Sequence, residues 1–221
     1  MNFGDTKPER KPRLVILISG SGSNMAAIVD SVKAGDIDAE VAAVISNKAE
    51  VAGLQKAQDR DVPTLVLSHK DYPTREAYDF ALLEKIAEYE PDLIVLAGFM
   101  RVLSPVFVAR YHDCILNIHP SLLPKYQGLH THQRVLEAGD KEHGVTVHFV
   151  NEELDDGPNV IQAVVAVEEG DSADSLQQKV HKQEHVIYPI AVKWFVEGRL
   201  KVKGSIATLD GKALPKTGLV L

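Results

Sequence analysis

Asn117-Ile118-His119-Pro120 closes a short apolar run and is the segment best suited to chemistry. On a strand, the i, i+2 spacing sets Asn117 and His119 on the same side. Pro120 stops the strand, so both side chains stand at its C-terminal edge. An amide donor beside an imidazole can hold a developing oxyanion and move a proton. The imidazole also needs a carboxylate to orient and charge it. Leu154-Asp155-Asp156-Gly157-Pro158, a turn between two strand patterns, offers two candidates. The same residues admit a structural reading, with His119 a satisfied core histidine and Asp155 a turn former.

Gly20-Ser21-Gly22-Ser23-Asn24 lies between a strand pattern and a helix pattern, where ligands bind in open α/β sheets. Small residues let the backbone approach a phosphate, and a helix N-terminus offers N–H groups and a favourable dipole. A dinucleotide fingerprint needs a glycine where Met25 stands and an acidic end to the second strand, which instead ends in Ser46 and Asn47. The nucleoside-triphosphate loop is absent as well. The loop suits a monophosphate; the plain alternative is a tight turn required by packing.

Other clusters carry less. His130-Thr131-His132, with His143 and His148 downstream, has no thiolate pair and no common zinc spacing. His181-Lys182-Gln183-Glu184-His185 matches H-x-x-E-H on one helix face. That chemistry wants a distant third ligand, and only Glu197 and Asp210 follow as carboxylates. No metal is expected. Cys114 opens an apolar strand and reads as a structural thiol. No G-x-S-x-G elbow exists.

The elements that must position these residues alternate. Arg13–Ser19, Glu40–Ser46, Thr64–Leu67 and Asp92–Ala97 read as buried strands. Between them fall helix patterns: one capped by Ser23 and Asn24, one over Val51–Arg60, and one opened by Pro73 with Ala77, Phe80, Leu83, Ile86 and Ala87 on its apolar face. This predicts βαβ units, a parallel sheet and right-handed crossovers. Further strands are expected at Cys114–Ile118, Gly144–Val150 and Val160–Val167. Ser172–Glu197 reads as a long helix with Leu176, Val180, Ile187, Ala191 and Trp194 on one stripe and Pro189 as a kink. Asp210-Gly211 signals a hairpin in the tail.

The chain has 221 residues, 45% hydrophobic and 25% charged, as expected for one globular domain. Its net charge of -7, from 31 acidic and 24 basic residues, argues against a nucleic-acid partner. No apolar run approaches the roughly 20 residues of a membrane helix. The first twelve residues have no signal core, and the single cysteine suits a reducing compartment. The expectation is a cytoplasmic protein acting on small molecules.

ISGSGSN (Ile18–Asn24), AGFMRVLSP (Ala97–Pro105), LNIHPSLLPKYQGLHTH (Leu116–His132), HGVTVHFV (His143–Val150), ELDDGP (Glu153–Pro158) and QEHVIYP (Gln183–Pro189) together resemble the folate-dependent phosphoribosylglycinamide formyltransferases. The resemblance runs from about Arg13 to Leu200. It implies an α/β fold with a doubly wound, mostly parallel twisted sheet flanked by helices, Rossmann-like, with antiparallel strands in the C-terminal half. It implies a single domain over 13–203, with a phosphate-binding half (about 13–100) and a folate and catalytic half (about 101–203). A flexible arm (1–12) and a tail (204–221) flank it.

Carried over position by position, Asn117, His119 and Asp155 match the catalytic trio. Gly22, Ser23 and Asn24 match the loop holding the phosphate of glycinamide ribonucleotide (GAR), and His181 and Glu184 match further contacts to it. Arg75, Met100, Arg101, Val102, Leu103, Asn117, Asn151, Glu152, Glu153, Leu154 and Asp155 match folate contacts. Asp156 stands where a small or neutral residue is common, and Gln127 replaces a frequent proline in the Lys125–Gly128 loop. The implied co-substrate is 10-formyltetrahydrofolate, without a metal, on a monomer or homodimer. The implied reaction is direct amine attack on the formyl carbon, Asn117 and protonated His119 stabilising the oxyanion and Asp155 favouring the charged imidazole. A 10-formyltetrahydrofolate hydrolase, or a formyltransferase acting on another amine, is the alternative. The hydrolase would carry an extra domain before this one, and a transfer-RNA formyltransferase a basic domain after it. A non-catalytic nucleotide-binding module leaves the trio unexplained.

Overall fold

The computed structural model describes residues 10–221; the expected N-terminal arm lies outside the described residues as far as position 9. The chain begins β1 (Arg13–Ile18), α1 (Ser23–Lys33), β2 (Glu40–Ser46), α2 (Ala52–Gln58), β3 (Thr64–Val66), α3 (Arg75–Ala87), β4 (Leu93–Leu96), α4 (Pro105–Arg110) and β5 (Ile115–His119). It continues α5 (Thr131–Ala138), β6 (Glu142–Phe149), β7 (Asn159–Ala166), α6 (Ala173–Val196), β8 (Leu200–Lys203), β9 (Ile206–Leu209), β10 (Lys212–Ala213) and β11 (Leu219–Val220).

β1 is apolar without alternation because both faces of the sheet are covered. Leu14, Ile16 and Ile18 pack with Met25 and Ile28 of α1 and Ile187 and Tyr188 of α6. Val15 and Leu17 point the other way, against Tyr78, Leu82 and Ile86 of α3 and Phe107 of α4. The strand order is β11-β7-β6-β5-β4-β1-β2-β3. β1 to β5 run parallel, and β6 opposes both β5 and β7. β8, β9 and β10 form a separate antiparallel sheet. The doubly wound, mostly parallel architecture is therefore present, with antiparallel pairing confined to the C-terminal half. Strand order reverses at β1, so the ligand crevice lies outside the carboxyl ends of β1 and β4.

Several local expectations need correction. Gly22, not Ser23 or Asn24, caps α1; its φ of 67° is a left-handed turn open to glycine, and Ser23 is already helical. α3 starts at Arg75, because the Thr74 hydroxyl accepts from the Ala77 N–H and so sets the first turn two residues beyond Pro73. Its buried face is Tyr78, Asp79, Leu82 and Ile86, while Phe80 is 62% exposed. Ala77 and Phe80 fit helical spacing, but on the neighbouring face. α4, α5 and β11 were not foreseen. α4 is only six residues long, and β11 exists because the tail's Leu219 and Val220 find the outer edge of β7. Pro189 lies inside α6 without ending it. Asp210 and Gly211, both with positive φ, form the β9–β10 turn.

Candidate active site

β5 delivers Asn117 and His119 to the carboxyl edge of the sheet, beside the antiparallel β6. In that register Asn117 faces His148 and His119 faces Thr146. The Asn117 amide nitrogen lies 3.2 Å from His148 Nε2. His148 Nδ1 lies 2.8 Å from the Phe149 carbonyl, which can only accept; Nδ1 therefore carries the proton, and Nε2 accepts from Asn117. Burial pushes the His148 imidazole down to about 4, against the opposing pull of its Phe149 bond and the Asp155 charge.

Asp155 closes the cluster from the following loop. Its Oδ2 lies 3.4 Å from His119 Nδ1 and its Oδ1 3.8 Å from His148 Nε2; all three side chains are buried. Asp155 takes a left-handed φ of 51°. Gly157 lets the loop pass so close to β6 that a Cβ there would overlap the Phe149 carbonyl. The Gly128 N–H donates to Asp155 Oδ2 at 3.0 Å and the Gln127 amide donates to the Asp155 carbonyl at 3.0 Å. The other ring nitrogen of His119, Nε2, lies 2.8 Å from the Tyr126 carbonyl. The Tyr126 carbonyl can only accept, so Nε2 carries a proton, while Nδ1 faces the Asp155 carboxylate. Of the two acidic candidates, Asp155 makes the contact with His119, while Asp156 acts on His148 only through charge.

The glycine loop stands across the crevice. No side chain caps α1 and no acidic residue occupies its first turn, a terminus suited to an anion. The packing alternative also has support. A Cβ on Gly22 would come within 2.5 Å of Gly53 Cα, so Gly22 is required by the approach of α2. A Cβ on Gly20 would meet nothing within 4 Å. Asn24 and Glu184 are both buried, and the Asn24 amide donates to Glu184 Oε2 at 2.7 Å. His181 is half-exposed, with Nε2 3.8 Å from the same carboxylate oxygen. This bond ties the first helix of the chain to the last long one.

Met100 to Leu103 follow β4. Met100 and Val102 are exposed and Leu103 is buried. The Arg101 guanidinium stacks 4.9 Å over the Tyr78 ring, and its buried Nε has no partner among the described residues. In the loop carrying Asp155, the Asn151 side chain accepts from the Glu153 N–H, and Glu152, Glu153 and Leu154 are exposed. Arg75, at the start of α3, pairs with adjacent Glu76 rather than with another residue of the site.

Among the described residues no group of three or more His, Cys, Asp or Glu side chains is placed to hold a metal ion. His132 Nδ1 bonds His143 Nε2 directly at 2.9 Å, and burial pushes His143 down to about 4. His181 and His185 stack with ring centroids 6.4 Å apart, while the intervening Glu184 turns to Asn24. His148 is the site residue that sequence reasoning passed over as a metal decoy. Its alternation with Thr146 marks it as one face of a strand, but only the pairing of β6 with β5 sets that face beside Asn117.

An open α/β sheet thus carries an amide, two imidazoles and a carboxylate in one cluster at its crevice, groups able to donate, accept and move protons. The formyl transferase family matches residues 12–192. The phosphoribosylglycinamide formyltransferase of Escherichia coli K12 is 53% identical over 205 residues, covering 93% of this chain and 97% of that one. Its Haemophilus influenzae counterpart is 50% identical over 206 residues, covering 93% and 97%. The structure of the Coxiella burnetii phosphoribosylglycinamide formyltransferase superposes with a TM-score of 0.92 at 45% identity, covering 96% of this chain and all of that one. The chain belongs to the formyl transferase family.

Proposed function

We propose that this protein transfers the formyl group of 10-formyltetrahydrofolate to the glycinamide amine of 5'-phosphoribosylglycinamide, yielding formyl-GAR and tetrahydrofolate in purine biosynthesis. The single observation that carries the reading is the cluster of half-buried Asn117 with the buried side chains of His148, Asp155 and His119 at the crevice of a formyl transferase chain. In this reading the protein acts in the cytoplasm on small molecules, as a monomer or homodimer and without a metal. Its first half (about 13–100) holds the phosphate, and its second half (about 101–203) holds the folate and the catalytic trio.

The substrate amine attacks the formyl carbon, and the carbonyl electron pair moves onto the formyl oxygen. Asn117 has a second amide N–H to offer that oxygen, and His119 offers Nε2–H once it exchanges the Tyr126 carbonyl for the substrate. One such donor is typically worth about 3–4 kcal/mol. The carbon–nitrogen bond to folate N10 then breaks, and the proton lost by the amine reaches N10 through His119 or water. Holding both reactants in one crevice contributes up to about 7–11 kcal/mol by removing a bimolecular encounter. Gly22, Ser23, Asn24, His181 and Glu184 hold the ribonucleotide; Arg75, the Met100–Leu103 segment and the Asn151–Asp155 loop hold the folate.

The test follows deformylation of a 10-formyl folate optically, with and without GAR. Loss of the formyl group only in the presence of GAR is expected. Formate release without it would assign hydrolysis instead, and transfer to a different amine would reassign the acceptor.

A further inference from the structure

The carboxyl ends of three strands meet at Ser19, directly before the glycine loop. Its hydroxyl donates to Asn47 Oδ1, just past β2, at 2.7 Å, and accepts from the Met100 N–H, just past β4, at 2.8 Å. Its own N–H donates to the Gly98 carbonyl at 3.1 Å. Ser19 and Asn47 are both buried. Asn47 is itself held by His69, whose Nδ1 either accepts from the side-chain amide at 3.3 Å or donates to the main-chain carbonyl at 3.2 Å, according to its tautomer. The one hydroxyl proton is committed to Asn47, which aims a lone pair at Met100.

The Met100 and Val102 side chains are exposed, so side-chain anchorage within the 100–103 segment comes from Arg101 over the Tyr78 ring and from buried Leu103, and the Met100 N–H bond to Ser19 fixes the backbone where the segment begins. Its far end is pinned in the same manner: the Ser104 N–H donates to buried Asp79 Oδ2 at 2.6 Å. The segment is therefore a span of backbone clamped at both ends by side-chain acceptors, one from β1 and one from α3. β1 is also where strand order reverses, so Ser19 ties together the two lips of the crevice.

We propose that Ser19 is a positioning residue for the formyl donor: its hydroxyl sets how far the 100–103 backbone stands from the glycine loop, and so the separation of the two substrates. The inference rests on the reading of Met100–Leu103 as the donor's wall. Ser19 makes no contact with reacting atoms; it acts through the Met100 amide.

Steady-state constants of wild type, Ser19→Ala and Ser19→Cys test it. Removing the acceptor unties the part-buried Met100 N–H and leaves buried Asn47 Oδ1 without its donor, so Ser19→Ala is expected to raise the KM for 10-formyl folate about tenfold. Its kcat should stay within about threefold and its KM for GAR within about twofold, the signature of lost donor placement. Ser19→Cys, of similar shape but a weaker hydrogen-bonding partner, should fall between, and supplies the measurement if the alanine variant does not fold. Wild-type donor KM in a variant with unchanged Tm, or an equal rise in both KM values, would overturn the proposal. If wild type transfers nothing to GAR, the functional reading itself fails. The Ser19 comparison then rests on donor Kd by fluorescence, where equal values for wild type and variant overturn it.

Discussion

Asp155→Asn removes one charge and almost no shape. The asparagine oxygen can still accept from the Gly128 N–H. What disappears is the carboxylate 3.4 Å from His119 Nδ1, in a site where both side chains are at most 8% exposed. At the effective permittivity of about 20 that suits protein charge pairs, two unit charges at this separation interact by about 5 kcal/mol. The asparagine dipole and local rearrangement recover part of that. A residual loss of about 3–4 kcal/mol corresponds to a fall in kcat of about 100- to 1,000-fold. The substitution retains the loop's shape and backbone groups, so in the proposed reading both KM values should stay within about threefold. Stopped-flow or steady-state deformylation at saturating GAR measures kcat, and thermal melting controls for folding. A correctly folded variant with kcat within threefold of wild type would refute the assignment of Asp155 as the electrostatic partner of His119.

The two loop glycines should separate phosphate binding from packing. Gly22→Ala, at positive φ and 2.5 Å from Gly53 Cα, is expected to lower stability by about 2 kcal/mol or more, so weakened ligand binding in that variant would say little about the phosphate. Gly20→Ala adds a methyl group to open space, so it should leave the denaturant midpoint unchanged while weakening GAR binding in calorimetry; unchanged binding would move the phosphate elsewhere. Burial lowers His143 to about 4 from a usual value near 6.5. The unfolded chain therefore binds the extra proton first, and His143's stabilisation, complete above about pH 6.5, should decline as pH falls toward 4, by about 3 kcal/mol in all. Urea midpoints at pH 7, 5.5 and 4.5 for wild type and His143→Gln check this; equal slopes would exclude His143 as the source. Ser172→Ala removes the reciprocal cap of α6, whose hydroxyl bonds the Ser175 N–H at 3.1 Å, and should cost about 1 kcal/mol in denaturant unfolding with kcat intact.

Much of the fold was legible because it depends on local pattern. β2 spans the residues its apolar run marks out, and α6 runs between its Ser172 cap and Glu197. Elements without such a signal were not legible. α4 is too short for periodicity to register, and β11 is two residues whose strand character depends on a distant edge. Phe80 shows the limit of spacing: helical periodicity admits two adjacent faces, and only the position of β1 decides which one is buried.

At the site, residue type and spacing alone set Asn117 beside His119 at a strand end, argued against a dinucleotide loop and marked the glycine segment as a ligand or packing turn. Those inferences rest on geometry within a few residues. Residue type and spacing could not choose between Asp155 and Asp156, a choice that only the family resemblance made, because adjacent residues of a turn differ only in which backbone dihedral aims the side chain inward. It could not bring His148 into the cluster, because that contact depends on β6 opposing β5 in register. Nor could it join Asn24 to Glu184 or Ser19 to Met100, residues 160 and 81 positions apart. Such pairings are settled by how the two sheet faces are covered and where strand order reverses, properties of the whole packed chain.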